Sequence, residues 1–152
     1  MTATVDTPGY LSLAPLCGGP LPLDGARTLP EVFARTVARF ADDVALRTLG
    51  ETRVLTWNQY RGRVADVAGG LTGLGVRRGD SVGLMLANRP EFFVVDTAAQ
   101  HLGATPFSVY NTSSAEQVAY LFSDAANRVV VTERQFLPIV RAALAIGGSV
   151  DH

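Results

Sequence analysis

Few residues in this chain have the types and spacing that chemistry requires. The run Gly69-Gly70-Leu71-Thr72-Gly73-Leu74-Gly75 is rich enough in glycine to suggest a phosphate loop. A dinucleotide fingerprint, however, follows a strand, opens a helix and reads G-x-G-x-x-G. This run does neither and is expected to close a helix. Thr112-Ser113-Ser114 lies where a helix should open, and free N–H groups there attract anions. Helix capping accounts for these hydroxyls without a ligand. His101 sits in an apolar stretch with no second His or Cys at ligand spacing, so packing is expected instead of metal binding. Asp42-Asp43 reads as a solvated turn pair. Arg77-Arg78 beside Asp80 reads as an exposed turn, with a phosphate-binding role as the alternative. His152 is terminal and expected to be exposed, and Cys17 falls in an irregular segment. No G-x-S-x-G is present, so no hydrolase elbow is indicated. The sequence therefore assigns no catalytic, no cofactor-binding and no metal-binding residue.

Composition narrows the classes further. With 47% hydrophobic and 18% charged residues, the chain can bury a core and is not a disordered tail. A formal net charge of −1 gives no electrostatic case for nucleic acid or an anionic membrane. All 13 basic residues are arginine. The absence of lysine matters because several catalytic mechanisms depend on one. A single cysteine cannot close an internal disulfide, which fits a reducing compartment. No apolar run approaches the length of a membrane span, and the first residues lack a basic n-region. A cytoplasmic location is the expectation.

The elements that would position a site can be read from their boundaries. Residues 1–27, with Pro8-Gly9 and Gly18-Gly19-Pro20, show no period and read as an irregular leader. Beyond them, five pairs have the spacing of a capping box: Thr28…Glu31, Thr56…Gln59, Asn88…Glu91, Ser113…Glu116 and Thr132…Gln135. Leu55 with Tyr60 and Val131 with Phe136 have the spacing of hydrophobic staples. Pro30 and Pro90 suit first turns. Apolar spacing supports helices after each start, the second closing at Gly75 and the fifth running from about Glu133 to Ala145. Strand-length apolar runs lie between them. Val44 to Thr48 and Thr52 to Leu55 form an expected hairpin around Gly50-Glu51. Ser81 to Leu86, Thr105 to Val109 and Arg128 to Val131 are expected buried strands, with Pro106 favouring the start or edge of its strand. Alternating strands and helices imply an α/β fold: three layers, a mostly parallel sheet and helices on both faces. Gly147 to His152 reads as the loop into a next strand, so an incomplete, truncated domain of marginal stability is expected.

Three stretches are more specific than that alternation. The first is Leu55-Thr56-Trp57-Asn58-Gln59-Tyr60, followed by Gly75-Val76-Arg77-Arg78-Gly79-Asp80-Ser81-Val82. The second is Asn88-Arg89-Pro90-Glu91-Phe92, leading to Gly103-Ala104. The third is Tyr110-Asn111-Thr112-Ser113-Ser114-Ala115-Glu116-Gln117-Val118. In this order they resemble the start of the AMP-forming acyl-CoA synthetases, the superfamily that also holds luciferases and peptide-synthetase adenylation domains. The third stretch is similar to the long-chain fatty acid–CoA ligase branch. The resemblance covers residues 28–152, as a partial N-terminal domain. It implies a fatty acid, ATP with Mg and coenzyme A as the whole family's substrates and cofactors. It also implies a Ser/Thr/Gly-rich loop with a lysine, and a second lysine on a lid domain. Neither is in this chain, so none of these ligands is expected to be bound by the fragment alone. Four functional readings remain: a shortened ligase that is inactive alone; a split-ligase half or interaction module completed by the product of a downstream reading frame; a relative acting on another carboxylic acid; and an unrelated flavodoxin-like domain. Peripheral membrane association is implied only through the family's acyl substrates.

Overall fold

A computed structural model describes residues 25–147 and 150–152; most of the expected leader, residues 1–24, lies outside the described residues. The first helix, α1 (Leu29–Phe40), starts at Thr28, whose hydroxyl accepts from Glu31 N–H. Glu31 does not complete a box; its carboxylate accepts from Arg27 N–H at 2.7 Å. The expected hairpin follows as β1 (Val44–Arg47) and β2 (Val54–Thr56), antiparallel around a 3-10 turn at Leu49–Glu51. The second helix, α2 (Trp57–Gly73), has a full capping box between Thr56 and Gln59.

The main sheet contains β3 (Ser81–Met85), β4 (Thr105–Ser108) and β5 (Val129–Thr132), all parallel, in the order β4-β3-β5. Helix α3 (Pro90–His101) links β3 to β4, and α4 (Ala115–Ala125) links β4 to β5. Helix α5 (Leu137–Ile146) follows β5. Two cores sit on opposite faces of this sheet. Val82, Leu84 and Val129 pack with Tyr60, Val64, Val94 and Ala98 of α2 and α3. Met85 packs with Val118, Phe122, Val140 and Ala143 of α4 and α5. Side chains alternate along a strand, so a fully buried strand must be apolar on both faces, as β3 is. Each large core side chain contributes roughly 1.5–3 kcal/mol by leaving water.

Two helix ends share one device. Gly75 (φ 91°) and Gly103 (φ 70°) are left-handed residues just past α2 and α3. Beyond them Val76 N–H reaches Leu71 C=O and Ala104 N–H reaches Ala99 C=O, both at 3.0 Å, closing Schellman motifs. The glycine run at 69–75 is thus part of α2 and its terminus, as its spacing implied.

Several starts differ from the sequence expectation. Helix α4 begins one residue later than Ser113…Glu116 implies; its box is Ser114 with Gln117. Asn88 is not the cap of α3, because Pro90 takes the first helical position and leaves Arg89 at the N-cap. Thr132 caps nothing. It ends β5 and its hydroxyl donates to Met85 C=O at 3.1 Å. A 3-10 turn at Arg134–Phe136 then precedes α5, which starts at Leu137 and not at Glu133. Val131 and Phe136 pack on opposite faces of the sheet, so they form no staple.

Gly83 on β3 is closely packed. A Cβ there would stand 3.2 Å from Val130 Cγ2, 3.3 Å from Asn127 Nδ2 and 3.3 Å from Phe107 Cζ. Gly83→Ala is therefore expected to lower stability by about 1–3 kcal/mol in chemical denaturation. Gly62→Ala, on the exposed side of α2 with nothing within 4 Å, is expected to raise it by about 0.5–1 kcal/mol. Equal effects at the two positions would contradict this packing account.

Candidate functional site

In an open parallel sheet, ligands bind beyond the carboxyl ends of the strands, where neighbouring connections diverge. Here that place lies between β3 and β5. The chain leaves β3 toward β4 on one side and leaves β5 in the opposite direction. An open crevice of about 710 Å3 lies there, lined by Leu86, Arg89, Glu91, Val131, Glu133 and Arg134, among others.

Glu133 shapes this crevice. One of its carboxylate oxygens accepts from Ala87 N–H at 2.7 Å, and the other accepts from Arg89 Nη1 at 2.9 Å. Arg89 also donates through Nε to Glu91 at 2.7 Å, and Arg53 from the hairpin turn pairs with the other Glu91 oxygen. Asn111, beyond β4, donates to Leu86 C=O at 3.3 Å. The loop after β3 is thus held by groups from beyond both neighbouring strands. Arg134 and Gln135 line the open side and are exposed.

The charges in this cluster compensate one another. The Arg89 guanidinium holds the Glu91 carboxyl down to about 2. Glu133 is held below the ordinary carboxylate range, first by the Ala87 N–H and then by Arg89. Arg89 is pushed further toward its charged form by Glu91 and Glu133. Both carboxylates and this arginine are committed to one another, so the cluster fixes the crevice wall and presents no free acid or base.

The residues weighed in the sequence lie away from this network. Ser114 spends its hydroxyl on Gln117 N–H. His101 Nδ1 pairs with Thr97 C=O at 2.8 Å, and its ring meets Phe33 edge-on at 5.3 Å. Phe33 also contacts Trp57 and Tyr60, which joins α1, α2 and α3. Asp43 C=O accepts from Trp57 N–H. Arg77 N–H donates to Asp80 Oδ2 at 2.7 Å, and its guanidinium donates to Thr72 C=O at the end of α2. Cys17 lies outside the described residues. Among the described residues there is no group of three or more His, Cys, Asp or Glu able to hold a metal. No helix among them is long and apolar enough to cross a membrane.

An open parallel sheet with a crevice at its switch point defines an α/β protein with a ligand-binding architecture. Residues 33–150 match the family described as AMP-binding enzyme, and this chain belongs to that family. It is 51% identical over 125 residues to the protein Rv1549 of Mycobacterium tuberculosis, covering 82% of this chain and 70% of that protein. It is 29% identical over 147 residues to the long-chain-fatty-acid–CoA ligase heimdall of Drosophila melanogaster, covering 83% of this chain but 22% of that one. A solved putative long-chain-fatty-acid CoA ligase from Rhodopseudomonas palustris superposes with a TM-score of 0.74 at 31% identity, covering 82% of this chain and 31% of that chain. The chain thus spans a minor part of the ligases it matches. An unrelated flavodoxin-like domain is overturned by the family match.

A folded-state carboxyl held at about 2 against an ordinary 4.5 has a definite linkage sign. Its stabilisation is present above pH 4.5 and is lost as pH falls toward 2. Glu91→Gln is expected to lower the melting temperature at pH 7 and to flatten its decline between those pH values, followed by circular dichroism. An acid limb as steep as that of the unaltered chain would show that Glu91 is not the group responsible.

Proposed function

We propose that this chain forms the first part of an adenylate-forming ligase that joins a long-chain fatty acid to coenzyme A, and that it does no chemistry alone. One observation carries the reading. The family match takes up most of this chain, residues 33–150, yet the chain spans only 22% of the ligase heimdall. Its sequence also contains no lysine.

In that reaction a carboxylate attacks the α-phosphate of ATP and pyrophosphate leaves. The thiol of coenzyme A then displaces AMP from the acyl-adenylate. Charge builds on phosphate oxygens, and fixed cations and N–H donors must meet it. Bound Mg2+ would supply part of that charge. The residues present here do not fit the task of holding it: Glu91 and Glu133 are committed to arginines, and Ser114 to a helix cap. No step is therefore assigned to this chain's side chains. Its contribution is a preformed wall, the tied loop between β3 and α3, against which the rest of an active site assembles. The long-chain substrate is supported by the long-chain-fatty-acid–CoA ligases that the chain matches and by the Tyr110 to Val118 stretch.

Fatty-acid-dependent ATP–pyrophosphate exchange tests the proposal. The purified chain is expected to give none with palmitate. Exchange is expected from a polypeptide in which these residues are joined to the remainder of the AMP-binding domain, with palmitate preferred to acetate or benzoate. Exchange by this chain alone would overturn the claim that its residues lack the chemistry. A joined polypeptide active on benzoate or acetate but not on palmitate would overturn the long-chain assignment.

A further inference from the structure

The turn of the β1–β2 hairpin is tightly tied and holds an apolar side chain out in solvent. Thr48 N–H donates to Arg53 C=O at 3.0 Å, and Arg53 N–H donates to Thr48 Oγ1 at 3.0 Å. The hydroxyls of Thr48 and Thr52 meet at 2.8 Å. Gly50 takes the left-handed conformation (φ 75°) that lets the chain reverse within these few residues. Leu49 stands in this turn and is fully exposed. One exposed leucine is ordinary, but here a second apolar group accompanies it. Phe93, in the first turn of α3, is about half exposed. It shares a groove of about 260 Å3 with Leu49, Arg47 and Pro90, among others.

Arginines surround this apolar pair. Residues 44–65 contain Arg47, Arg53, Arg61 and Arg63 but one acidic residue, Glu51, a local charge of +3 in a chain of formal net charge −1. The value for the whole chain conceals this basic region. Arg47, Arg53 and Arg63 are all exposed. Arg53 and Arg63 line a pocket of about 530 Å3 together with Thr52, Pro90 and Glu91. Pro90 borders both this pocket and the groove beside Leu49, so the two form one surface. Glu91 is the acid that lines it, and its charge is taken up by Arg53 and Arg89. Arg61 turns to Asn58 Oδ1, at 2.8 Å.

We propose that this surface, with Leu49 and Phe93 at its centre and Arg47, Arg53 and Arg63 around them, docks on a lipid bilayer that carries anionic headgroups. Leu49 and Phe93 enter the boundary between headgroups and acyl chains, and the arginines stay at the level of the phosphates. Both attractions are needed, because a small apolar anchor alone holds a protein to a bilayer weakly. Charge complementarity selects this occupant: the basic rim matches a negative lipid surface. A tip already fixed by its own hydrogen bonds also loses little freedom on contact. The inference concerns where the chain is held and does not depend on the ligase reading.

Cosedimentation of the 152-residue chain with vesicles tests it. The chain is expected to bind phosphatidylcholine vesicles containing about one third phosphatidylserine, and to bind pure phosphatidylcholine much less. Added salt should weaken the binding. Leu49→Ser is expected to lower the partition coefficient by roughly tenfold or more, and Arg63→Gln by roughly fivefold. Both side chains are exposed, so circular dichroism should show the fold unchanged. Ile146→Ser, which removes another exposed apolar side chain at the end of α5, is expected to leave binding as it was. An equal loss from Ile146→Ser and Leu49→Ser would mean that any uncovered apolar surface sticks to vesicles, and would overturn the proposal. So would equal binding to neutral vesicles, or no binding to either kind.

Discussion

Strand β3 has protein on every side, and that burial constrains the rest of the molecule. Val82 and Met85 are 0% exposed and Leu84 is 1% exposed. A strand so placed must give its backbone groups to neighbours, because a buried unpaired N–H or C=O is costly. The parallel neighbours β4 and β5 meet that demand. Parallel neighbours in turn require crossover connections, and those are the helices that cover both faces. The layered form follows from one apolar run that cannot face water.

The same constraint creates the crevice. Where β3 leaves the sheet, its chain must turn outward and its N–H groups lose their ladder. Glu133 takes up the Ala87 N–H, and Asn111 takes up the Leu86 carbonyl. Loops from both neighbouring strands thereby become fixed relative to the β3 loop. Arg53 extends the tie to the hairpin, which belongs to a separate two-stranded sheet. A polar wall of this kind keeps its shape before any ligand arrives, as a binding surface must if affinity is not to be spent on ordering loops.

Much of the fold was legible because its signals are local. The strand runs, the hairpin around Gly50 and the helix end at Gly75 are each set by residues within a few positions. Errors arose where two local patterns competed or where a distant group intervened. Ser113…Glu116 and Ser114…Gln117 are equally good boxes one residue apart. The second prevails in the phase that turns Val118, Ala119 and Phe122 toward the core. Thr132 resembles a helix cap until Met85, on another strand, claims its hydroxyl. Glu91 resembles half of a box with Asn88, but Arg89 and Arg53 hold it. The crevice network was invisible for the same reason. It joins residues as distant as Arg53 and Glu133, and no spacing rule connects them. The Asn88-Arg89-Pro90-Glu91 stretch carried half of it, as a family resemblance without a stated physical role.

The strand order also sets an order of assembly. The β4 partner of β3 lies about half as far along the chain as the β5 partner. Closing the shorter loop costs less entropy, and on a ribosome its residues emerge first. The β3–α3–β4 unit can therefore dock against α2 while β5 is still unmade. In that interval β3 has one bare edge of unpaired N–H and C=O groups and one bare apolar face. The hazardous step in making this protein is thus the wait for the valines of β5, and a slowly translated or slowly folding chain would be most prone to self-association at that point.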